Sequence, residues 1–386
     1  MSQKMEFVER AAKGEPVATL CREFGVSRTT GHKWVKRYKE RGYEGLEEHS
    51  RRPKSVPLAT AEDIVVAVLE ARQAHPTWGP EKLAIVLRRR FREQTPSKRT
   101  IARILSRAQL IRKRVKRRPP NVVERAPQVQ AHAPNEVWTV DFKGWWRAVN
   151  RERCEPLTVR DAFSRLVLAT VLCTTSTADA KSVFQQLFRK YSVPRAIQCD
   201  NGVPFVAVRS RAGLSALSAW WVSLGIRIVR SRLSCPQDNG AHERMHRDIS
   251  ESVQLSPATD KRQQQRQLDK WRQEFNHVRP HQALKGKTPA EVYKASKPCA
   301  APSLPSPYPA SCYVTNVHRN GCFRIMGNPY FVSRALAGYD VGLEPLDPLH
   351  VRVWFCAIDL GVIEIEPRAD DALYLQTARR TNTKVA

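Results

Sequence analysis

The stretch Glu136–Trp146 reads EVWTVDFKGWW, and it is where the chain changes from helical to strand periodicity. Trp138 and Val140 alternate with Thr139 and Asp141, so one face of the segment is apolar and the other is polar. Alternation over this length predicts a half-buried β-strand. The strand therefore opens a sheet domain and carries an acidic side chain on its polar face.

Further strands and helices are predicted to follow this first strand. An alternating run with a tight DAFSR turn gives two strands, and short apolar strands then alternate with helices. The strands occupy parts of 156–173, 195–202 and 226–232, and the helices occupy parts of 177–191, 214–225, 241–254 and 260–278. An initial meander followed by βαβ crossovers predicts an α/β core with a mixed sheet and helices on its faces.

The chain is strongly basic. Its 386 residues carry a formal net charge of +28, and its isoelectric point is near 10.2. The positive charge is clustered rather than spread, which favours a nucleic-acid partner over a merely soluble basic protein.

The cysteines and the N-terminus indicate the compartment. Nine Cys are widely spaced, odd in number and without a C-x-x-C pair, which favours free thiols in a reducing cytosol. The N-terminus lacks the apolar segment of a signal peptide, and no apolar run approaches the length of a membrane span. We therefore expect a soluble, cytoplasmic protein with no membrane partner and no small-molecule cofactor.

The N-terminal residues are predicted to form a helix-turn-helix. Two short helices, within 6–13 and 16–24, precede a Gly25 turn, and Ser27 is a candidate N-cap for a third, basic helix. A basic helix after a glycine turn is typical of a DNA-recognition helix, although a helical hairpin with a solvated basic face has the same pattern. The predicted DNA-facing residues are Arg28, Thr29, His32 and Lys33.

A second helical unit and a basic arm come next. Helical patterns cover 61–74, 81–94 and 101–110, with a Pro-Ser turn before the last of them. Between Arg88 and Arg118 there are fourteen Lys or Arg and one acid, which favours contact with phosphates. The predicted contacts in the arm, which can also serve as a tether, are Arg112, Lys113, Arg114, Lys116, Arg117 and Arg118.

The last part of the chain is predicted to be a separate β domain. A Pro- and Ser-rich linker covers 297–309, and short alternating runs split by turn signals follow it. This pattern favours a small antiparallel β-barrel. The predicted architecture is thus multidomain: an all-α helix-turn-helix domain in 1–50, a second helical unit with its arm in 58–120, the α/β core in 130–296 and the barrel in 310–370.

Three acids are placed to converge in the α/β core. Asp141 lies in the first strand, Asp200 at the end of the fourth, and Glu243 in the first turn of the helix after the fifth. They meet if those strands are neighbours and the helix crosses their ends. Oxygen ligands suit Mg²⁺ or Mn²⁺, and two such ions about 4 Å apart can support attack on a phosphodiester. Taken singly, each acid is explained as a strand polar residue, a turn former or a helix-start acid.

The segment His242–His246 offers a different interpretation, because it spells H-E-x-x-H, the pattern of a zinc metalloprotease helix. A polar segment follows the motif, a D-N-G turn precedes it, and no third ligand lies nearby in the sequence. These features disfavour zinc. We expect both histidines to approach DNA or to pack locally, and Asp238 and Asn239 to shape the entry to the helix.

Several of these motifs together resemble one family. They are WTVDFKG around Asp141, DAFSR from Asp161, CDNGVPF at Asp200, PQDNGAHERMHR around Glu243, and NHVRPHQALKGKTPAEVY over 276–293. In this order they are similar to the RNase H-like core of retroviral-integrase-type transposases from bacterial insertion sequences. With the helical units and the terminal β segment, the resemblance covers nearly the whole chain.

The resemblance implies that Asp141, Asp200 and Glu243 are the Asp-Asp-Glu ligands of two Mg²⁺ or Mn²⁺ ions. It implies a DNA transposase, a polynucleotidyl transferase that binds terminal inverted repeats, hydrolyses phosphodiester bonds and joins 3′-OH ends to target DNA for integration. Its partner would be double-stranded DNA, and holding two ends would require a homo-oligomer.

Two departures from the family pattern and two alternative functions accompany this prediction. The interval from Asp200 to Glu243 is longer than in retroviral integrases, and Ser250 stands where many relatives carry Lys or Arg, so Arg247 is the substitute candidate for a phosphate contact. The alternatives are a transposase-derived DNA-binding regulator with an inactive core, and a nuclease that cuts without joining.

Overall fold

The computed structural model describes residues 3–48, 60–111, 129–207, 210–232, 240–294, 308 and 311–365. The chain divides into two compact units, Met1–Ala61 and Glu62–Ala386, which are considered separately. The cysteines within the described ranges form no disulfide, as their spacing predicts. Among the described helices, none combines the length and the apolar character that crossing a membrane requires.

The first unit is a three-helix domain. It consists of α1 (Gln3–Ala12), α2 (Val17–Glu23) and α3 (Arg28–Arg41), followed by a 3-10 turn at Gly42–Leu46. The predicted N-cap is confirmed, because the side chain of Ser27 accepts a hydrogen bond from a backbone N–H in the first turn of α3. The helix-turn-helix arrangement predicted from the sequence is therefore present.

Close approach of α3 to the other helices depends on Gly31. A Cβ at this position would lie 2.8 Å from the ring of Phe7 and would also collide with the sulfur of Cys21. Trp34 and Val35, on the same side of α3, pack against this buried cluster. The opposite side of α3 is left free for solvent or a partner.

The second unit begins with three more helices. They are α4 (Glu62–Ala74), α5 (Pro80–Phe91) and α6 (Lys98–Arg107), and the side chain of Ser97 caps α6 by accepting from the N–H of Thr100 at 3.2 Å. This agrees with the predicted second helical unit. Its core contains Val68, Trp78, Leu83, Ile101 and Leu105.

A five-stranded mixed sheet forms the centre of the second unit. Its strands are β1 (Val137–Phe142), β4 (Pro156–Asp161), β5 (Val167–Leu172), β6 (Ala196–Cys199) and β7 (Arg227–Arg230). The order is β5-β4-β1-β6-β7; β4 and β5 run antiparallel to their neighbours, while β6 pairs parallel with β1 and with β7. The mixed sheet predicted from the element order is confirmed.

The short hairpin β2 (Trp146–Arg147) and β3 (Arg153–Cys154) was not predicted. Two residues per strand give no measurable alternation, so the sequence carries no periodic signal for it. The hairpin follows β1 directly, and its Trp146 is buried in one cluster with Met245 and Ile249 of the helix Gly240–Ile249.

Helices cover both faces of the sheet. The helices are α7 (Thr177–Tyr191), α8 (Ala216–Ser223), α9 (Gly240–Ile249), α10 (Lys261–Gln273) and α11 (Pro289–Val292). Trp138 and Val140 of β1 pack with residues of α7 and α8, whereas the cluster around Trp271 joins α9 and α10 on the other side. Because side chains alternate along β1, its polar positions face α9.

In the residues that the structure describes, the C-terminal part consists of a four-stranded sheet and a two-stranded sheet. Its strands are β8 (Tyr313–Asn316), β9 (Cys322–Ile325), β10 (Asn328–Phe331), β11 (Asp340–Pro345), β12 (His350–Phe355) and β13 (Ile358–Glu364). Four of them pair in the order β13-β12-β11-β8, and β9 pairs only with β10. The predicted closed barrel is not confirmed, because this strand order leaves β13 and β8 as free edges within 311–365.

The long interval between Asp200 and Glu243 has a structural use. Leu214, Ala219 and Val222 of this interval belong to the same buried cluster as the inner side chains of the C-terminal sheet. Arg211 also donates to the carbonyl of Leu360 at 3.3 Å. The additional residues thus provide the surface on which the C-terminal sheet packs.

Candidate active site

Strand register brings the first two acids together. In the parallel pair β1–β6, Val137 is opposite Ala196 and Thr139 is opposite Gln198. Continuing this register by two residues sets Asp141 level with Asp200, which directly follows β6. Glu243 lies in the first turn of α9, the helix that covers the polar face of β1.

The electrostatics of Asp141 indicate that the three carboxylates share one space. Burial raises the pKa of Asp141 to about 7, and the negative charges of Asp200 and Glu243 add to this rise while the backbone N–H of Phe142 opposes it. The Asp141 side chain keeps 22% of its exposure. A carboxyl with so high a pKa, next to two others, is typical of a site that binds a cation.

The same carboxylates do not enclose an ion at ligand distance. Within the described ranges, no three acidic, histidine or cysteine side chains are close enough to hold a metal. Like charges without a cation between them repel one another and remain apart. The three carboxylates therefore offer the oxygen donors that a hard divalent cation prefers, but they lie farther apart than the ligands of a bound ion.

The loop after β6 leaves Asp200 ready to bind a ligand. Its Oδ1 atom is buried and has no hydrogen-bond partner among the described residues, an arrangement that costs free energy unless a cation or proton compensates it. Asn201 ties the loop to the end of β7 by donating to the carbonyl of Ser231 at 2.8 Å. A Cβ at Gly202 would lie 2.9 Å from the Asp200 Oδ2 atom, so glycine leaves the carboxylate its space.

The two histidines of the H-E-x-x-H motif form hydrogen bonds within the protein. Thr158 Oγ1 lies 2.8 Å from the backbone oxygen of Asp141, 2.7 Å from Nε2 of His242 and 2.8 Å from Nε2 of His246. A hydroxyl has one proton, and Thr158 donates it to the Asp141 carbonyl. Both histidines must then donate to Thr158, which fixes them as Nε2–H tautomers.

The other ring nitrogens complete this network. Nδ1 of His242 accepts from Thr139 Oγ1 at 3.0 Å, and Nδ1 of His246 lies 3.9 Å from the Asp141 carboxylate. His242 is 0% exposed, burial places its pKa far below the usual range, and burial together with the charge of Lys143 lowers the pKa of His246 to about 3.

The network decides between the two expectations for the histidine pair. Both Nε2 atoms carry protons directed at one threonine, so they are not presented to a zinc ion. Local packing is confirmed, and an approach of His242 to DNA is excluded by its burial. The pair ties α9, and with it Glu243, to β1 and β4.

We predict that His242→Ala lowers stability by about 2–3 kcal/mol, because it leaves a cavity and two buried hydroxyls with unmet hydrogen bonds. His246→Ala should cost less, since this side chain is less buried. Both variants should keep metal-dependent activity below their melting temperatures. Urea unfolding and bound-metal analysis check this; loss of stoichiometric zinc without loss of stability would restore the metalloprotease interpretation.

The DNA-contact candidates differ in what the structure says of them. Arg28, Thr29, His32 and Lys33 are all exposed at helical spacing on α3. Arg247 is exposed on α9, one turn after Glu243. The arm residues, Arg112, Lys113, Arg114, Lys116, Arg117 and Arg118, lie outside the described residues, as do Asp238 and Asn239.

A second basic helix was not singled out by the sequence reasoning. Helix α6 has the same Ser-x-x-Thr cap as α3, and its exposed positions are largely basic. These positions are Lys98, Arg99, Arg103 and Arg107. The repeated cap, SRTT and SKRT in the sequence, was an available signal that α6 is built like a recognition helix.

The sequence matches known domain families over these segments. Residues 3–54 match a helix-turn-helix domain, residues 30–105 match a homeodomain-like domain, and residues 131–236 and 224–289 match an integrase core domain. The chain is 27% identical over 289 residues, 74% of its length and 80% of the relative, to the "Insertion element IS476 uncharacterized 39.2 kDa protein" of Xanthomonas euvesicatoria. It is 26% identical over 210 residues, 54% of its length and 72% of the relative, to the "Insertion element IS407 uncharacterized 31.7 kDa protein" of Burkholderia multivorans.

Solved structures of integrases were also found. The HTLV-2 integrase catalytic core domain in complex with magnesium is 18% identical and covers 43% of this chain and 100% of its own, with a TM-score of 0.33. The simian T-cell lymphotropic virus intasome in complex with a PP2A regulatory subunit is 15% identical and covers 78% and 100%, with a TM-score of 0.35.

Proposed function

We propose, from the premise that this chain is an insertion-sequence transposase with an integrase-type core, that it cuts the ends of its element and joins them to target DNA. In this proposal α3, α6 and the basic arm bind the terminal inverted repeats. Asp141, Asp200 and Glu243 form the catalytic centre. The observation that carries the proposal is the strand register that sets Asp141 level with Asp200, beneath the helix that carries Glu243.

The carboxylates would hold Mg²⁺ or Mn²⁺, two ions per site, because oxygen donors suit these cations. When bound, such ions stabilise the charge that develops on phosphodiester oxygens. The protein's own part is to hold Asp141 and Asp200 side by side on adjacent strands and to fix Glu243 above them through the His242 and His246 network. The net positive charge draws DNA to the site.

The wider assignments remain proposals too. We propose domains at 1–50, 58–120, 130–296 and 310–370, and a homo-oligomer on DNA, since two element ends have to be held together. Double-stranded DNA is the proposed partner and the bacterial nucleoid the proposed location.

Metal-dependent strand chemistry is the direct test. The full-length protein should nick an oligonucleotide bearing an element end and join its 3′-OH to a second duplex. Chelation should abolish both steps; Mg²⁺ or Mn²⁺ should restore them, and Zn²⁺ should not. Binding without nicking would favour the inactive regulator, and nicking without joining would favour a nuclease.

Recognition of the element end is tested separately on α3. Arg28→Ala combined with Lys33→Ala should weaken end binding and lower the slope of log affinity against log salt by about 2, one for each lost phosphate contact. The control is Lys39→Ala with Arg41→Ala, two exposed basic residues in the last turn of the same helix. Equal effects of the two pairs in fluorescence anisotropy titrations would refute the predicted recognition face.

A further inference from the structure

Arg160 is a buried cation that forms no ion pair with an anion among the described residues. It lies on β4 opposite Thr139, on the sheet face that α9 covers, and only 6% of it is exposed. Within the described ranges its Nε atom also has no hydrogen-bond partner. Proteins normally offset the cost of burying such a charge with an anionic partner.

The adjacent acid does not serve as that partner. The two carboxylate oxygens of Asp161 accept from the backbone N–H of Asn135 at 2.8 Å and from the backbone N–H of Ser164 at 2.7 Å. The Ser164 hydroxyl also donates to this carboxylate. Asp161 therefore holds the turn after β4; its charge favours the ionised form of Arg160, but among the described residues no carboxylate is paired with the Arg160 guanidinium.

Two more arginines crowd the same place. Burial lowers the pKa of Arg160 to about 10, and the positive charges of Arg165 and Arg244 act in the same direction, while the charge of Asp161 opposes them. Arg165 is half-buried, and Arg244 is exposed on α9 directly after Glu243. Three guanidiniums that repel one another are stable together when an anion lies between them.

We propose that Arg160, Arg165 and Arg244 form a binding site for one phosphate of the DNA backbone beside the carboxylate centre. The inference rests on the proposed function, because it takes the anion from the DNA that is being cut. Guanidinium groups offer paired N–H donors that match two oxygens of a phosphate, which favours a phosphate as the bound anion. The three arginines would provide a cationic contact to DNA in place of the Lys or Arg that many relatives carry at the position of Ser250.

Thermal unfolding without DNA tests whether the charge of Arg160 lacks a stabilising partner in the protein itself. Arg160→Met keeps the length and removes the charge, so its melting temperature should equal or exceed that of the wild type. The matched control is Arg279→Met, a partly buried arginine that is paired with Asp248, and its melting temperature should fall. An equal fall in both variants would make Arg160 an ordinary structural residue and overturn the proposal.

End-DNA binding by the full-length protein in chelator tests the phosphate. Arg160→Met should lower the salt slope by up to about one, and adding Arg244→Met should lower it little further, since both contact the same phosphate. Single phosphates of the end DNA can be replaced, one at a time, by neutral methylphosphonates. At one position the replacement should lower the affinity of the wild type but leave the affinity of Arg160→Met unchanged. Arg279→Met should behave as the wild type does.

Each other result has a fixed meaning. A scan in which Arg160→Met responds as the wild type does at every position would overturn the DNA assignment. If inorganic phosphate stabilises the wild type but not Arg160→Met, and the scan shows no difference, the site takes a free anion and the DNA source is wrong. A wild type that binds and cuts element ends no better than random DNA would refute the proposed function, while the scan on any duplex still tests the phosphate site.

Discussion

Glu243→Gln, Asp141→Asn and Asp200→Asn will each abolish both cleavage and joining, while binding to the element end survives. The three side chains are proposed to hold the same ions, so the loss of any one charge removes the function of all. Their effects should not multiply, because residues that act as a unit lose nearly everything in the first substitution. A double variant should therefore be no slower than the slowest single variant.

The controls for this experiment are acids of the same segment. Asp238→Asn should have only a small effect on activity, because asparagine also favours the predicted turn. The helix would lose at most the favourable interaction of a negative charge with its N-terminus, about 1 kcal/mol. Glu251→Gln changes an exposed acid eight residues after Glu243 and should leave both steps unchanged. Single-turnover cleavage and strand-transfer assays measure the steps separately. Full activity of Glu243→Gln would show that the carboxylate assignment is wrong.

Local sequence signals predicted a large part of this fold. Both N-terminal helical units follow from apolar spacing, from the Ser27 cap, which acts within three residues, and from the Pro-Ser turn before α6. The sheet follows from alternation in strands such as β1. The level position of Asp141 and Asp200 follows once β1 and β6 are neighbours, and element order alone makes that pairing reasonable.

The remaining features depend on contacts between distant residues. Thr158 meets His242 and His246 across 84 and 88 residues of chain, so no window of sequence shows the network. Arg160 occupies an ordinary strand position, and only the folded environment shows that it has no partner. The C-terminal strands were predicted from alternation, but alternation does not specify closure, and the barrel was not confirmed for this reason.

Asp141 also links the metal to the dependence of stability on pH. Its pKa is about 7 in the folded, metal-free protein and 3.8 in an ordinary exposed carboxyl, so between these values the folded state binds more protons than the unfolded state. Stability must then fall as pH rises from about 4 to about 7, by at most about 4 kcal/mol for this group. The buried histidines work in the opposite sense, because a depressed pKa makes stability fall as pH drops below the ordinary value of 6.5.

The contribution of Asp141 is isolated by comparing the wild type with Asp141→Asn, in which the histidines remain. We predict that the wild type minus variant difference in unfolding free energy becomes less favourable to the wild type across this pH range in chelator. Adding Mg²⁺ at pH 8 should reverse most of that difference, because a cation between the carboxylates stabilises their ionised forms. Urea unfolding followed by tryptophan fluorescence measures both curves. If the unfolding free energies of the wild type and of Asp141→Asn change with pH in parallel, both in chelator and with Mg²⁺, then Asp141 neither carries the raised pKa nor binds the ion.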